Sequence, residues 1–229
     1  MRTNTITKDY KTLAYVLKRT NYSEADRILN LITPSGKVAA IAKGVRKEKS
    51  KLAGGIEIFS LIELNLHVGK SEFAIVTSSR MIKYYGNILK DYNRMELAGI
   101  VLKKINHLAE HSDNPDYYKI TDQCLVELNN DTSLELIRNW FAFNVLKASG
   151  EEVNLYRDTN GEKLSAGDFY DWDVGQSAFS RSQTGIYGAN EIKMMRLMST
   201  ASLATVKKVK SYDALMNKIT DFIRIVGEA

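Results

Sequence analysis

The chain has 229 residues, 44% of them hydrophobic, with one cysteine, three histidines and a formal net charge of +5. This suits a folded protein resting on a hydrophobic core and excludes a disulfide framework or a cysteine-based zinc site. Residues 1–11 are polar and lack the apolar core of a secretory signal, and no apolar run approaches the roughly 18 residues needed to span a bilayer, so the reading is cytoplasmic with no membrane partner.

The charge is uneven. Residues 1–85 hold fifteen Lys and Arg against seven Asp and Glu, a net of +8, which leaves seventeen against twenty, a net of −3, for residues 86–229. That asymmetry is the footprint of a polyanion-binding module joined to a domain with another task, a solvated lysine-rich surface being the plainer alternative.

The first third of the chain reads as short strands. Residues 12–18, 27–33 and 37–42 are apolar runs, and Thr33-Pro34-Ser35-Gly36 joins the second to the third as a hairpin, Pro34 presetting φ and Gly36 supplying a positive one. Residues 59–68 alternate Ile62, Leu64, Leu66 and Val68 with Glu63, Asn65 and His67, a period-two strand with one buried face. After the turn Gly69-Lys70, residues 72–77 make a fifth strand. Five short strands predict a small closed barrel, of which the oligonucleotide-binding (OB) fold is the common kind.

Beyond Tyr85 the period becomes helical. Asp91 is placed to cap a helix carrying Leu97, Ile100, Val101, Ile105 and Leu108. A second begins near Asp116 with Ile120, Cys124, Leu125 and Leu128, and Ser133 caps a third running through Ile137, Phe141 and Val145 to Gly150. Residues 151–188, rich in Gly, Ser and Asp, break the pattern before 189–200, 202–208 and 211–226 resume it. The expected class is α+β: an OB-fold nucleic-acid-binding domain over residues 1–85, then a helical domain over 86–229 with an irregular lobe at 151–188.

The most informative segment is Ala42-Lys43-Gly44-Val45-Arg46-Lys47-Glu48-Lys49-Ser50-Lys51, with five cations in the nine residues 43–51. Lys43, Arg46, Lys47, Lys49 and Lys51 on a mobile inter-strand loop, with Lys37 nearby, can follow a sugar–phosphate backbone without reading bases, and Gly44 lets that backbone come close. An isolated cluster of this kind is as readily a solvated turn.

Here the cluster is not isolated. Glu24-Ala25-Asp26-Arg27-Ile28-Leu29, Thr33-Pro34-Ser35-Gly36-Lys37, the basic segment and Phe59-Ser60-Leu61-Ile62-Glu63-Leu64 together resemble the N-terminal domain of the RecO family, in the same order. The helical part is similar only in general pattern. The resemblance implies a bacterial, nucleoid-associated DNA repair and recombination mediator that binds single- and double-stranded DNA and anneals complementary strands. It further implies loading of RecA on gaps coated by single-stranded DNA-binding protein, with RecR as a partner and the tail of the single-stranded DNA-binding protein docking on the helical domain.

Many members of that family hold zinc with two CxxC pairs in the helical domain, whereas here Arg157-Asp158-Thr159-Asn160-Gly161 stands where CxxCG is expected, and the second pair is absent around residues 175–182. The expectation is a zinc-less lobe tied by packing of Phe169, Tyr170, Trp172 and Phe179.

Other constellations are weaker. His107 and His111, four apart with Glu110 adjacent, lack HExxH order and a third indicated ligand, so they read as exposed histidines near a helix end, and no metal is assigned. His67 reads as a strand surface position and Cys124 as core rather than nucleophile. Asp171 and Asp173 suit a loop surface better than acid–base work. The segment Met194-Met195-Arg196-Leu197-Met198 fits core packing better than a partner groove. Gly54-Gly55 lacks a phosphate-loop context, so no ATP use, no cofactor and no catalytic residue is expected: the chain reads as a binder, not an enzyme. A recombination mediator leads, an RNA-binding or ribosome-associated OB protein with a helical docking domain comes second, and a module whose basic face meets acidic protein comes third.

Overall fold

A strand that alternates apolar and polar residues buries one face, and a run of five such strands satisfies its edges best by closing on itself. In a computed structural model, which describes residues 8–210 and 212–227, the chain does this. Residues 1–7, which open the polar N-terminal stretch, and Ser211, where the last helix is expected to begin, lie outside the described residues. The described strands are β1 (Lys8–Tyr22), β2 (Asp26–Thr33), β3 (Gly36–Ala42), β4 (Ser60–Val68) and β5 (Ala74–Tyr84). They form a closed barrel in the order β1-β2-β3-β5-β4, with β1 pairing back onto β4.

All contacts are antiparallel except β3 with β5, which is parallel and limited to Ala40↔Ala74 and Ile41↔Ile75. The barrel is filled by Ala14, Val16, Leu29, Leu31, Ala40, Ile62, Leu64, Leu66 and Val76. The β4 alternation holds through Leu66, while Val68 at the strand end is 37% exposed. Two strands run further than their apolar runs indicate, β1 at both ends and β5 to Tyr84. β5 continues through Ser78, Ser79 and Arg80 because β4 pairs with them, and bulges near Leu61 and Leu66 in the β4–β5 ladder re-aim side chains along the way.

The chain divides into two compact units, the first ending at Asn130 and the second beginning at Asp131. The first contains the barrel and two helices, α1 (Tyr92–Leu108) and α2 (Asp116–Asn129). Asp91 caps α1 by accepting from the Arg94 amide at 3.1 Å. Leu97, Val101 and Ile105 turn inward, whereas Ile100 is 47% exposed. On α2, Ile120, Cys124, Leu125 and Leu128 are buried, and burial pushes the Cys124 thiol well above its ordinary range, which makes it an inert core residue.

The second unit holds α3 (Leu134–Ser149), α4 (Ala189–Thr200), the single turn α5 (Leu203–Val206) and α6 (Asp213–Gly227). Ser133 caps α3 by accepting from the Leu136 amide at 3.4 Å, and Gly150 ends it in the left-handed region at φ 87°. Met194, Met195 and Met198 are buried, as core packing requires.

The lobe between α3 and α4 is more regular than expected, because it contains a two-stranded hairpin, β6 (Tyr170–Asp173) and β7 (Ala178–Arg181). Phe179 is its hub, 5.1 Å from Trp172, 5.7 Å from Tyr187 and stacked on Phe222 at 5.6 Å between ring centroids. Tyr170 also packs on Phe179, but Phe169 does not belong to the cluster: it is 54% exposed, since alternation along the strand turns it away from the face that Tyr170 buries. Tyr187 and Phe222 fill the role expected of it. In the turn standing where the family's first CxxC pair is expected, Asp158 accepts from the amides of Asn160 and Glu162 at 2.9 Å each. Arg157 donates to the Gly161 carbonyl at 2.6 Å. A carboxylate thus knits the turn by local hydrogen bonding.

Candidate nucleic-acid interface

The basic segment leaves β3 after Ala42 and is held as a shaped turn rather than the mobile loop expected. Val45 is buried at 3% exposure, Gly44 donates to the Asp26 carboxylate at 2.7 Å, and the Arg46 amide donates to the Ala25 carbonyl at 2.9 Å. Inside the turn, Lys47 N–H reaches the Gly44 carbonyl at 3.1 Å and Ser50 N–H the Lys47 carbonyl at 3.0 Å. Gly44 has φ 63°, a conformation that other residues adopt only with strain. These bonds fasten the turn to the β2 end of the β2–β3 hairpin.

Anchored by Val45, the turn points its charges outward. Lys43, Arg46, Lys47, Lys49 and Lys51 are all exposed, and among the described residues none of the five is in an ion pair. Among the described residues their one side-chain hydrogen bond is a long one, 3.4 Å from the Arg46 guanidinium to the Ser23 carbonyl. Some other barrel cations are neutralised locally: Lys11 and Arg80 flank Glu63 at 2.9 and 3.0 Å and hold its carboxyl below the usual range, and Arg19 pairs with Glu57 at 2.9 Å. Five barrel cations that are in no ion pair among the described residues thus fall within this one nine-residue turn, where they can meet phosphates without first breaking an ion pair.

Lys37 lies elsewhere. It stands at the start of β3, six residues from Lys43, which at about 3.3 Å per residue is roughly 20 Å along the strand. Its side chain is only 12% exposed, and its ammonium donates to the Asn106 carbonyl and to Glu110, each at 3.0 Å. The structure thus gathers five of the six expected cations and ties the sixth to the end of α1.

One residue of this end of the barrel was not singled out from the sequence. Tyr22, the last residue of β1, is 51% exposed and lies in the β1–β2 connection that receives Arg46. An exposed ring beside phosphate-binding cations can stack on an unpaired base. At the end of a strand its orientation depends on the turn at Ser23, which has φ 55° and which no periodicity reveals.

Residues 7–85 match the family described as "Recombination protein O N terminal", and residues 89–224 match "Recombination protein O C terminal". Proteins named DNA repair protein RecO are similar along most of the chain. That of Dehalococcoides mccartyi strain 195 is 31% identical over 224 residues, covering 94% of this chain and 88% of the relative. That of strain CBDB1 is 30% identical over 224 residues with the same coverage. That of Roseiflexus sp. strain RS-1 is 30% identical over 148 residues, 64% of this chain and 52% of the relative. A five-stranded barrel with a basic turn after its third strand, helices after it in the chain and these matches along both halves agree: the chain belongs to the recombination protein O (RecO) family.

Proposed function

We propose that this chain is a DNA repair and homologous recombination mediator. It binds single- and double-stranded DNA, anneals complementary strands and helps load RecA on gaps coated by single-stranded DNA-binding protein, with RecR as a further partner. Residues 1–85 are assigned DNA binding and residues 86–229 docking, in the bacterial cytoplasm at the nucleoid. The observation that carries the reading is the turn at residues 43–51: five exposed cations with no acidic partner among the described residues, on the barrel of a RecO-family chain. Contacts of this kind are made to phosphates, so they hold many sequences alike, which annealing requires. The role of Lys37 in this reading is to brace β3 against α1, and the phosphate contacts belong to Lys43, Arg46, Lys47, Lys49 and Lys51. Binding alone accounts for this activity, so no catalytic residue is assigned.

The test is strand annealing. Complementary labelled oligonucleotides, naked or coated with single-stranded DNA-binding protein, should pair faster with the protein present and with no nucleotide added. Equal or tighter binding of RNA than of DNA of the same length, with no annealing, would favour an RNA-binding role instead.

A further inference from the structure

Helix α1 stops at Leu108, and the chain goes on in a tight turn in which Glu110 N–H reaches the His107 carbonyl and His111 N–H the Leu108 carbonyl, each at 3.1 Å. Positions three and four apart share a helix face, and that turn keeps them together. It brings one ligand atom each of His107, Glu110 and His111 within 4.8 Å of one another, all three side chains being exposed. The imidazoles meet edge to face, 5.5 Å between centroids and 82° between planes. Glu110 is also oriented from behind: the Lys37 ammonium at 3.0 Å and the Asn106 amide at 3.3 Å both donate to the same oxygen, Oε1, so its other oxygen is the one available to a ligand. Outer groups that fix a carboxylate in this way are the usual support of a metal ligand.

We propose that His107, Glu110 and His111 form an exchangeable site for a borderline divalent cation, zinc above all, with water in the fourth position. Two imidazoles and a carboxylate are a recognised donor set for zinc, and imidazole nitrogens select it over magnesium or calcium, which prefer oxygen. With bonds of about 2.0–2.2 Å, tetrahedral ligands stand about 3.4 Å apart. The three groups must therefore close by about an ångström, which rotation of exposed side chains provides without moving backbone. Exposure and the neighbouring Lys37 charge make the site one that exchanges metal with solvent and does not hold the fold together. It is unrelated to the lobe at residues 151–188 and independent of nucleic-acid binding.

The experiment is calorimetric titration of zinc chloride into tag-free, metal-stripped full-length protein in the absence of nucleic acid. One ion per chain is expected. The double variant H107A/H111A should remove binding, and H111A or E110Q alone should weaken it by about tenfold or more, the scale on which metal sites respond to loss of one group. The control H67A should bind as before, since His67 belongs to a separate pair with Asp9. In the wild type, the ring resonances of His107 and His111 should shift with zinc while that of His67 stays in place, a readout that needs no variant. Unchanged affinity in H107A/H111A, loss of binding in H67A, absence of any binding heat, or magnesium competing on equal terms would each overturn the assignment.

Discussion

The Tyr15 hydroxyl in β1 donates to the Asp122 carboxylate in α2 at 2.5 Å while lying 3.1 Å from the Tyr85 hydroxyl, so a buried phenol in the barrel wall joins a strand, a helix and the chain segment between them. Tyr118 packs on the same ring at 5.6 Å. Burial first, and the hydrogen bond to Asp122 second, push the Tyr15 phenol far above its ordinary range. Burial, with the Asp122 charge beside it, pushes Tyr118 up to about 12. Tyr15→Phe leaves a partly buried carboxylate and the Tyr85 hydroxyl short of a partner, a loss of about 1–3 kcal/mol. Chemical denaturation should show that decrease with the barrel retained. In the wild type, spectrophotometric titration to about pH 11 should leave Tyr15 and Tyr118 protonated.

Salt dependence separates the two groups of cations. Each productive phosphate contact to a single strand contributes about −0.7 to the slope of log affinity against log salt. Changing Lys43, Arg46, Lys47, Lys49 and Lys51 to Ala should therefore flatten the slope by roughly 2–3 units if three or four of them touch phosphate. Stability should be nearly unaltered, because exposed charges rarely contribute beyond about 0.5 kcal/mol each. Lys37→Ala should do the reverse, leaving the slope in place while losing the tie to Glu110 and Asn106. An unaltered slope in the five-fold variant would relegate the turn to a solvated surface.

Stacking and phosphate contact are distinguishable at Tyr22. Tyr22→Ala should weaken binding to single strands by about 1–3 kcal/mol, the measured scale of base–aromatic stacking, and duplex binding much less, because paired bases offer no free face. Equal losses on both substrates would remove the ring from the interface.

At Gly44 the φ of 63° is the constraint, since a Cβ would find Lys47 no nearer than 3.6 Å. Gly44→Ala should cost about 1–2 kcal/mol through left-handed strain alone and should re-aim Arg46 and Lys47. Affinity for DNA should fall without any change in net charge, which a gel shift beside a denaturation curve will show.

The lobe should behave as a small aromatic core rather than a metal knuckle. Phe179→Ala removes the ring shared by Tyr170, Trp172, Tyr187 and Phe222 and should cost about 3–5 kcal/mol. Dialysis of the wild type against a chelator should leave the near-ultraviolet circular dichroism of these rings unchanged.

What was legible in the sequence was what a short window encodes. Ile62, Leu64 and Leu66 alternate with polar neighbours and face inward, and Asp91 and Ser133 cap the helices that follow them. The basic turn was legible because five cations fall within nine residues. Features set by partners far along the chain were not. The polar end of β5 is a strand because β4 lies beside it, and β6 and β7 are too short, at four residues each, to show a period. Phe222, the ring against which the lobe packs, stands more than forty positions after Phe179. Lys37 looked close to Lys43 in sequence, yet an extended strand separates them as widely as six residues can. Likewise, the bond that orients Glu110 beside the two histidines comes from Lys37, on a strand far back along the chain.

The pairing of β3 with β5 extends over two residue pairs, whereas β2 with β3 runs from Arg27↔Ala42 to Thr33↔Gly36. Local opening follows the least-bonded boundary, so the barrel should part along Ala40–Ala74 and Ile41–Ile75 before any other line. The basic turn is bonded to Ala25 and Asp26 and so belongs to the β2–β3 hairpin. Opening would carry hairpin and cations together as one flap, hinged on β1. Amide exchange at Ala74 and Ile75 should then be the fastest in the barrel's interior. A nucleic-acid strand bound to both the turn and the neighbouring β1 end should slow it, fastening the flap shut.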